Sequence, residues 1–265
     1  ATQLSTMDKL IVFSPWQVSQ LGTVNEGQVH ILPHAINPSK YNQDGIEEID
    51  LGLTKTSTKF YTVSEFNRRK NLHTMIVGYF SAFSSSDDVV LIIKTNNGDS
   101  VKKLVEDIKT GMNKFKNNSL YPSVVIIGQR LTEPQLLSLH KTCDVFVSTS
   151  YGEAWCLPMM DAIAYNNHLI VPKHTAFATN VKDYPKTNYV DTHITPVFGA
   201  DSGLPNLYTA NEFWWGIDMF HLVEQFVDAY EVPIETPRKV NMKFLQENYS
   251  LAAVGHQFKQ ILEKE

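Results

Sequence analysis

Short apolar runs of strand length alternate with longer amphipathic segments through most of the chain. The runs at residues 89–94 and 123–127 are apolar at nearly every position, a pattern typical of strands that are buried on both faces. The predicted strands are 9–13, 30–32, 59–63, 89–94, 123–127, 145–148 and 168–171. The predicted helices between the later strands are 72–83, 101–115, 133–141 and 158–165. Because parallel strands need crossover helices between them, this alternation predicts an α/β fold with a Rossmann-like parallel sheet flanked by helices.

Two regions interrupt the alternation. Residues 38–58 are polar and aperiodic, which suits a linker or an excursion over the surface. Residues 174–211 contain three prolines and two glycines, and we expect a long loop there. Beyond it, residues 213–230 and 239–262 have the apolar spacing of helices.

Composition excludes several classes of protein. The 265 residues carry a formal net charge of −5, which argues against a broad nucleic-acid-binding face. We expect no transmembrane segment and no secretory signal, because no run of about 18 apolar residues occurs and residues 1–10 lack a basic region followed by an apolar core. Cys143 and Cys156 form no CxxC or Cys/His cluster, which predicts free thiols and no zinc site. The expected location is the cytoplasm, with peripheral attachment to a membrane left open.

The loops that follow the predicted strands are the candidate site. In an open parallel sheet, ligands bind beyond the carboxyl ends of the strands. These loops come after Val63, Lys94, Ile127, Ser148 and Val171.

The first of these loops holds the densest basic cluster of the chain, formed by Arg68, Arg69 and Lys70. The cluster lies between a strand and the start of a helix, where positive charge and backbone N–H donors together suit a diphosphate. The alternative interpretation is a solvated basic loop without a ligand.

Two acids frame the start of the helix predicted at residues 158–165. Glu153 lies on the turn after a strand, and Asp161 follows eight residues later inside the helix. Between them, the amides of residues 154–157 are expected to point outward without a partner in the helix. This arrangement suits a ligand with a sugar, a diphosphate and a ribose. The alternative is that Glu153 is a solvent-exposed loop acid and Asp161 a helix-dipole partner.

Several segments, in order, are similar to those of one enzyme family. STSYGEAWCLPMMDAIA (148–164) resembles the signature of the retaining GT-B glycosyltransferases of family 4, with the acids spaced as Glu153-x7-Asp161. VHILPHAINPSKY (29–41) resembles the interdomain linker of that family, and FYTVSEFNRRKNL (60–72) resembles its phosphate loop. DKLIVFSPWQVSQL (8–21) is similar to the last strand and helix of its N-terminal domain. VVIIGQRLTEPQLLSLHKTCDVFVSTS (124–150) is similar to the segment that precedes its acid pair.

The resemblance implies roles for individual residues. Glu153 would contact hydroxyls of the donor sugar close to the reacting centre, Lys70 would stabilise the leaving diphosphate, and Asp161 would hold the ribose. The remaining donor-binding residues that it implies are Arg68, Arg69, Gly152, Ala154, Trp155, Cys156 and Leu157 near the phosphates, Gly128, Gln129 and Arg130 near the base, and His174 near the sugar.

The chain departs from the family pattern at two positions. Glu65 stands where the family carries Arg, so that Arg68 or Arg69 would have to supply this charge, and Cys156 stands where Gly is typical. The resemblance implies neither a metal nor a cofactor, and no D-x-D motif is present. The implied ligand is a UDP-, GDP- or ADP-sugar substrate.

Four residues are expected to be structural. Trp214 and Trp215, predicted to open a helix, are expected to pack in the core or against another domain. His34 is expected to belong to the linker, and His140 lies on a helix among apolar neighbours.

The resemblance also implies a domain organisation. Residues 1–37 would be the end of an N-terminal, acceptor-binding domain and the linker, which makes them the remnant of a second Rossmann-like domain. Residues 38–237 would be the donor-binding domain, and residues 238–265 would cross back as helices. The rest of the N-terminal domain, or a partner subunit, is expected outside this chain.

Two functions follow from these expectations. The first is a retaining glycosyltransferase with an unassigned acceptor, which could be a glycan, a lipid, a protein or a modified nucleic acid. The second is a nucleotide-sugar-binding module that has no transfer activity by itself.

Overall fold

The computed structural model describes residues 4–21, 26–52, 57–113, 120–197, 208, 211–233 and 240–263. Ten strands and nine α-helices are found in these ranges. The strands are β1 (Leu10–Val12), β2 (Val29–Ile31), β3 (Thr58–Val63), β4 (Val89–Lys94), β5 (Ser123–Ile127), β6 (Val145–Val147), β7 (His168–Pro172), β8 (Thr187–Val190), β9 (Thr192–Pro196) and β10 (Phe213–Ile217). The helices are α1 (Pro15–Ser19), α2 (Leu72–Ala82), α3 (Gly98–Met112), α4 (Glu133–Thr142), α5 (Leu157–Ala164), α6 (Thr175–Asn180), α7 (Met219–Glu231), α8 (Lys243–Tyr249) and α9 (Leu251–Glu263).

Six strands form one parallel sheet in the order β5-β4-β3-β6-β7-β8. From β3 the chain first builds the sheet outward through β4 and β5, and then returns to place β6 on the other side of β3. This is the doubly wound order, and its topological switch point lies between β3 and β6. The predicted α/β class and the Rossmann-like parallel sheet are confirmed.

Apolar side chains cover both faces of the sheet. The adjacent residues Phe60 and Tyr61 on β3 are both fully buried, and they belong to two different apolar clusters on opposite faces. Helices α2, α3 and α7 contribute to the cluster around Phe60, and α4, α5 and α8 contribute to the one around Tyr61. Burial on both faces explains why β4 carries a nearly continuous apolar sequence.

Elements inside this core match the sequence best. The bounds of β4 and β5 are those predicted. Helix α4 begins as expected, because Thr132 and Gln135 form a reciprocal capping box and Pro134 lies in the first turn. The predicted end of α3 at residue 115 lies outside the described ranges.

Within those ranges, no helix combines the length and the apolar character needed to span a bilayer.

A small separate unit lies at the N-terminal side of the chain. Strands β1 and β2 pair in parallel and are connected through α1, and the assignment of this unit to the remnant of a second Rossmann-like domain stays a prediction. The C-terminal helices reach this unit, since Lys9 Nζ donates to the carbonyl of Ile261 at 2.6 Å and Ile36 N donates to that of Tyr249 at 2.7 Å. The domain boundaries at residues 37 and 237 stay predictions.

The segment predicted as a linker or surface excursion packs against α4. It contains a 3-10 helix, Pro38–Asn42, in which Asn37 caps the first turn. Further along, Glu47 N donates to Ser138 Oγ at 3.1 Å and Ile49 N donates to Thr142 Oγ1 at 2.8 Å.

The prediction of a long loop at residues 174–211 is wrong over its first part. That part contains α6, β8 and β9, which are each six residues long or shorter. Elements this short show too few turns or alternations to be recognised from periodicity. Residues 198–207 and 209–210 of the predicted loop lie outside the described ranges.

The helix predicted at residues 213–230 is also wrong at its start. Residues 213–217 form β10, which pairs antiparallel with β9, and α7 begins only at Met219. The side chain of Asp218 accepts a hydrogen bond from His221 N at 3.0 Å and so caps α7. Trp214 and Trp215 therefore lie on a strand, where aromatic residues are common.

The single helix predicted at residues 239–262 is divided into α8 and α9. Ser250 separates them, and its Oγ accepts a hydrogen bond from Ala253 N at 3.2 Å at the start of α9. Residue 239 itself lies outside the described ranges.

A close contact between Gly98, in α3, and Gly128, after β5, allows a direct test of how α3 packs beside β5. A Cβ at Gly98 would lie 2.9 Å from the backbone Cα of Gly128, whereas a Cβ at Gly111, in the same helix, would meet no atom within 4 Å. Gly98→Ala is expected to lower the free energy of unfolding by about 2 kcal/mol because the backbone must shift. The matched Gly111→Ala is expected to raise it by about 0.5–1 kcal/mol through helix propensity. Urea denaturation of both variants measures the two effects, and equal changes would contradict the packing.

Candidate functional site

The loops that leave the parallel strands meet at one edge of the sheet. Because β3 and β6 are neighbours, the loop after β3 lies beside the loop after β6, although about 80 residues separate them in the sequence. The hydrogen bond from Tyr151 N to the carbonyl of Arg69, at 2.8 Å, joins the two loops directly. The switch point of the sheet is therefore where the predicted basic cluster and Glu153 come together.

Glu153 is at the centre of an ion-pair cluster. Its Oε1 atom accepts a short hydrogen bond from Lys70 Nζ and lies 2.8 Å from Arg69 Nη1. Ser150 Oγ donates to the same oxygen at 3.2 Å. The Glu153 side chain is only 10% exposed, which contradicts its alternative interpretation as a solvent-exposed loop acid.

Backbone contacts fix the basic loop in place. Arg69 Nη1 donates to the carbonyl of Gly152 at 2.6 Å, and Thr149 Oγ1 donates to the carbonyl of Asn71 at 2.8 Å. Asn67 caps the 3-10 helix Arg68–Lys70 by accepting a hydrogen bond from Lys70 N at 3.1 Å. Arg68 is exposed, and its guanidinium carbon lies 5.9 Å from the centroid of the Trp214 ring. These contacts hold the basic loop in a defined conformation within the site, and Arg68 is the residue of the loop that faces the solvent.

Asp161 lies apart from this cluster. It is 8% exposed, accepts a hydrogen bond from the Tyr41 hydroxyl at 2.7 Å, and forms an ion pair with Lys40 Nζ at 2.5 Å. Both partners lie on the 3-10 helix of the linker segment. Burial together with the adjacent carboxylate raises the pKa of Tyr41 far above its usual range. Asp161 therefore ties the linker segment to α5, and neither of its partners was identified from the sequence.

The turn into α5 has an unusual backbone. Cys156 adopts the left-handed conformation with φ of 68°, which explains why glycine suits this position. At the start of α5, Leu157 N has no acceptor within the helix, Pro158 has no N–H, and Met159 N donates to the carbonyl of Cys156 at 3.1 Å. Ala154 and Leu157 are exposed, whereas Trp155 is 4% exposed and packs edge-on against His34 at a centroid distance of 5.3 Å.

The Cys156 thiol is held in its neutral form. Burial and the neighbouring Glu153 carboxylate raise the pKa of Cys156 to about 12. At neutral pH this group is therefore a thiol rather than a nucleophilic thiolate.

Three cavities follow one another along the carboxyl edge of the sheet. The first, of about 550 Å³, includes Glu153 and Arg69 in its lining. The second, of about 410 Å³, shares Arg69 with it and also contains Glu65 and Lys70. The third, of about 380 Å³, shares Asn96 with the second. The shared residues thus place the three cavities in a row across the switch point.

The third cavity holds the residues that were predicted to lie near a base. Gly128 and Gln129 line it after β5, and Gln129 is exposed. Arg130 follows directly and is also exposed. The predicted base-binding loop therefore lies at the third cavity, at the opposite end of the row from the cavity that contains Glu153.

Lys94 is a site residue that sequence reasoning missed. It ends β4, lines the second cavity with Lys70, and is only 6% exposed. Its Nζ donates to the carbonyl of Thr95 at 3.2 Å, and burial lowers its pKa below the usual lysine value. The sequence feature that could have identified Lys94 is its position as the only charged residue, at the carboxyl end, of the otherwise apolar strand VVLIIK.

His174 lies next to the Glu153 loop. It is 4% exposed, and its Nδ1 lies 3.0 Å from Thr175 Oγ1, which in turn accepts a hydrogen bond from Glu153 N at 3.2 Å. Burial lowers the pKa of His174 to about 4, so that the ring is neutral at pH 7. The ring also stacks on Trp215, at a centroid distance of 6.0 Å.

The other two histidines considered in the sequence are structural, as expected. His34 stacks on Phe13 at a centroid distance of 4.1 Å. His140 is fully buried and hydrogen-bonds with the Tyr61 hydroxyl at 2.7 Å. Across the described ranges, no group of three or more His, Cys, Asp or Glu side chains is placed to hold a metal ion.

Comparison with known proteins gives structural matches only. No protein-family model matches the sequence, and no curated protein matches it. A sucrose-phosphate synthase from Thermosynechococcus elongatus is similar over 98% of this chain, with a TM-score of 0.70 and 18% identity. A glycosyltransferase from Rickettsia africae is similar over 100% of the chain, with a TM-score of 0.65 and 13% identity. A UDP-forming trehalose-phosphate synthase from Burkholderia xenovorans is similar over 89%, with a TM-score of 0.60 and 13% identity.

These matches show the fold. At 18% identity and below, they establish that the sheet and its helices share the fold of GT-B glycosyltransferases. The chain spans 59% of the sucrose-phosphate synthase, 67% of the Rickettsia protein and 52% of the trehalose-phosphate synthase.

The burial of Lys94 makes a prediction about stability and pH. Because the folded state lowers the pKa of Lys94, it disfavours the charged form, and this cost is fully present below the folded pKa. Lys94→Met is expected to raise the free energy of unfolding by about 1 kcal/mol at pH 7. The gain should shrink as pH rises through the folded pKa towards 10.5, the ordinary lysine value.

Denaturant titrations between pH 7 and pH 10.5 measure this change. The control is Lys103→Met, because Lys103 is 78% exposed on α3 and should change stability by less than about 0.5 kcal/mol. A Lys94→Met variant that is less stable than the original chain at pH 7 would contradict the account.

Proposed function

We propose that the chain binds a nucleotide sugar along the carboxyl edge of its sheet and takes part in transferring the sugar to an acceptor hydroxyl with retention of anomeric configuration. The observation that carries this proposal is the cluster of Glu153 with Lys70 and Arg69 at the β3–β6 switch point. A carboxylate that binds hydroxyls and cations that bind phosphate are placed side by side there, as a sugar diphosphate requires.

The order of the three cavities supports an extended ligand. A sugar next to Glu153 would lie in the first cavity, a diphosphate next to Lys70 and Lys94 in the second, and a base next to Gln129 in the third. Ligand pockets typically have volumes of about 300–1,000 Å³, and each of these cavities falls within that range.

Positive charge for the diphosphate would come from the protein. Lys70 and Arg69 are partly buried, and Lys94 is almost fully buried, so that their interaction with a phosphate is less screened than at an open surface. The amides of Trp155, Cys156 and Leu157 on the turn into α5 would add donors at the same place. We therefore propose a metal-independent site, in which basic side chains and amides stabilise the leaving group.

The proposed reaction exchanges one bond for another at the anomeric carbon. The bond from that carbon to the diphosphate oxygen breaks, and a bond to the acceptor oxygen forms on the same face of the sugar. The acceptor proton passes to the leaving diphosphate oxygen. Lys70 stabilises the charge that develops on the diphosphate, and Glu153 holds sugar hydroxyls close to the reacting carbon.

Donor binding would rearrange the ion pairs of the free chain. Lys70 would turn from Glu153 to the phosphate, while Arg69 would keep its ion pair with Glu153. For Asp161 to hold the ribose, Tyr41 or Lys40 must give up one of its contacts with the carboxylate. The spacing Glu153-x7-Asp161 and the shared GT-B fold support assignment to the retaining enzymes of family 4.

The second candidate is a nucleotide-sugar-binding module. The chain spans 59% of the sucrose-phosphate synthase that it resembles, so an acceptor site of the whole protein would include residues outside this chain. Hydrolysis of a bound nucleotide sugar to free sugar and nucleotide would support an active centre. Binding without turnover would support the module.

Calorimetric titration with UDP, GDP and ADP and with their glucose conjugates, in the presence of EDTA, tests the proposal. We expect one nucleotide to bind saturably. Lys70→Ala should weaken that binding by about 10- to 100-fold, because a charge-assisted hydrogen bond contributes about 1.5–3 kcal/mol. The control is Lys103→Ala, since Lys103 is 78% exposed and lies on α3 away from the three cavities.

Two results would contradict the proposal. One is that none of the nucleotides or their conjugates binds. The other is that Lys70→Ala and Lys103→Ala bind the nucleotide with the same affinity as the original chain.

A further inference from the structure

The cavity that contains Glu153 has an aromatic wall that the donor site does not require. Its lining on the side of the β9–β10 hairpin and α1 includes Trp16, Gln20, Tyr151, Phe213 and Trp214. With a volume of about 550 Å³, it is the largest of the three cavities along the sheet edge. It therefore has room beyond the sugar of a nucleotide donor.

Ring contacts and a backbone hydrogen bond connect the members of the aromatic wall. The rings of Tyr151 and Trp214 stack with a centroid distance of 5.0 Å and an interplanar angle of 15°. Tyr208 packs edge-on against Trp214 at 5.4 Å. Trp215 N donates to the carbonyl of Tyr151 at 3.3 Å, which ties the hairpin to the loop that carries Glu153. The wall and the loop of the acid are thus in direct contact.

Apolar surface lines this cavity although water can enter it. Phe213 is 66% exposed and Ile194, on the partner strand, is 62% exposed. The lining of the same cavity also includes polar groups, namely Glu153, Gln20 and the Gly152 loop. Aromatic rings together with hydrogen-bonding groups fit a ligand with one apolar face and a polar rim.

We propose that this aromatic wall binds a pyranose ring of a carbohydrate acceptor. The C–H bonds on one face of a pyranose carry partial positive charge and pack on the electron-rich face of an indole, here in place of the Arg68 guanidinium that lies 5.9 Å from the centroid of the Trp214 ring, while its hydroxyls point to the rim. The acceptor hydroxyl would then lie next to Glu153, where the donor sugar is bound. This acceptor role rests on the proposed transferase function, whereas the carbohydrate site itself stands on the cavity alone.

Charge favours a carbohydrate over a nucleic acid. The chain has a net charge of −5, and Glu153 contributes a carboxylate to this cavity. Arg69, which also lines it, is ion-paired with Glu153 at 2.8 Å. A neutral sugar ring needs no phosphate contacts, which a single strand of nucleic acid does need for most of its affinity.

Saturation-transfer NMR with the methyl α-glycosides of glucose, galactose and mannose and with maltose tests the proposal, with affinities taken from titrations. We expect at least one of these saccharides to bind with its ring protons in contact with aromatic protons. Trp214→Leu should weaken that binding about tenfold because it keeps apolar bulk but removes the ring, whereas Trp214→Phe should retain most of it. Phe220→Ala is the control, since Phe220 is 85% exposed on α7 and outside the cavity.

The test separates this inference from the proposed function. Nucleotide titration of the Trp214→Leu protein shows whether the rest of the site is intact, and Lys70→Ala should lose nucleotide binding but keep saccharide binding. Saccharide binding that depends on Trp214 supports the carbohydrate site even if no nucleotide binds. Binding of a nucleotide without binding of any of the four saccharides overturns it. Trp214-dependent binding of single-stranded oligo(dT) in preference to the saccharides also overturns it, in favour of a nucleobase.

Discussion

The ion-pair cluster around Glu153 is the interaction on which the rest of the site depends. It joins the loop after β3 to the loop after β6, the two strands between which the sheet reverses its order. A carboxylate that is 10% exposed is costly unless cations and hydrogen bonds compensate it, and Lys70, Arg69 and Ser150 do so. The fold supplies the meeting point, and the opposite charges hold the two loops together at it.

Several properties of the site follow from this arrangement. The cluster leaves Lys70 at the boundary of the cavity that also contains the buried Lys94, so that cations of the protein surround the proposed diphosphate position. It also places Glu153 in the lining of the cavity that contains the aromatic wall. On the other side of the α5 turn, Asp161 ties the linker segment to the helix through Lys40 and Tyr41. Donor and acceptor would therefore both lie next to Glu153. The linker segment is attached to α5, the helix that follows Glu153.

The sequence predicted what depends on periodicity and on local motifs. Strands β4 and β5 were found with their observed bounds because each is a nearly continuous apolar run, and Glu153 and Lys70 were found because each follows a recognisable strand. The β9–β10 hairpin was missed because the apolar spacing of residues 213–230 does not distinguish a short aromatic strand from the start of a helix. Lys94 and Tyr41 were missed because their importance comes from contacts across the fold, which no local pattern encodes.

A crystal structure of the chain with the nucleotide sugar that it binds most tightly is the most direct measurement of the central claim. The account predicts that the diphosphate lies within hydrogen-bonding distance of Lys70 Nζ and of the amides of residues 155–157, with Glu153 on the sugar hydroxyls and the base beside Gln129. A diphosphate bound away from the carboxyl edge of β3 and β6, with the Lys70–Glu153 pair intact, would contradict it.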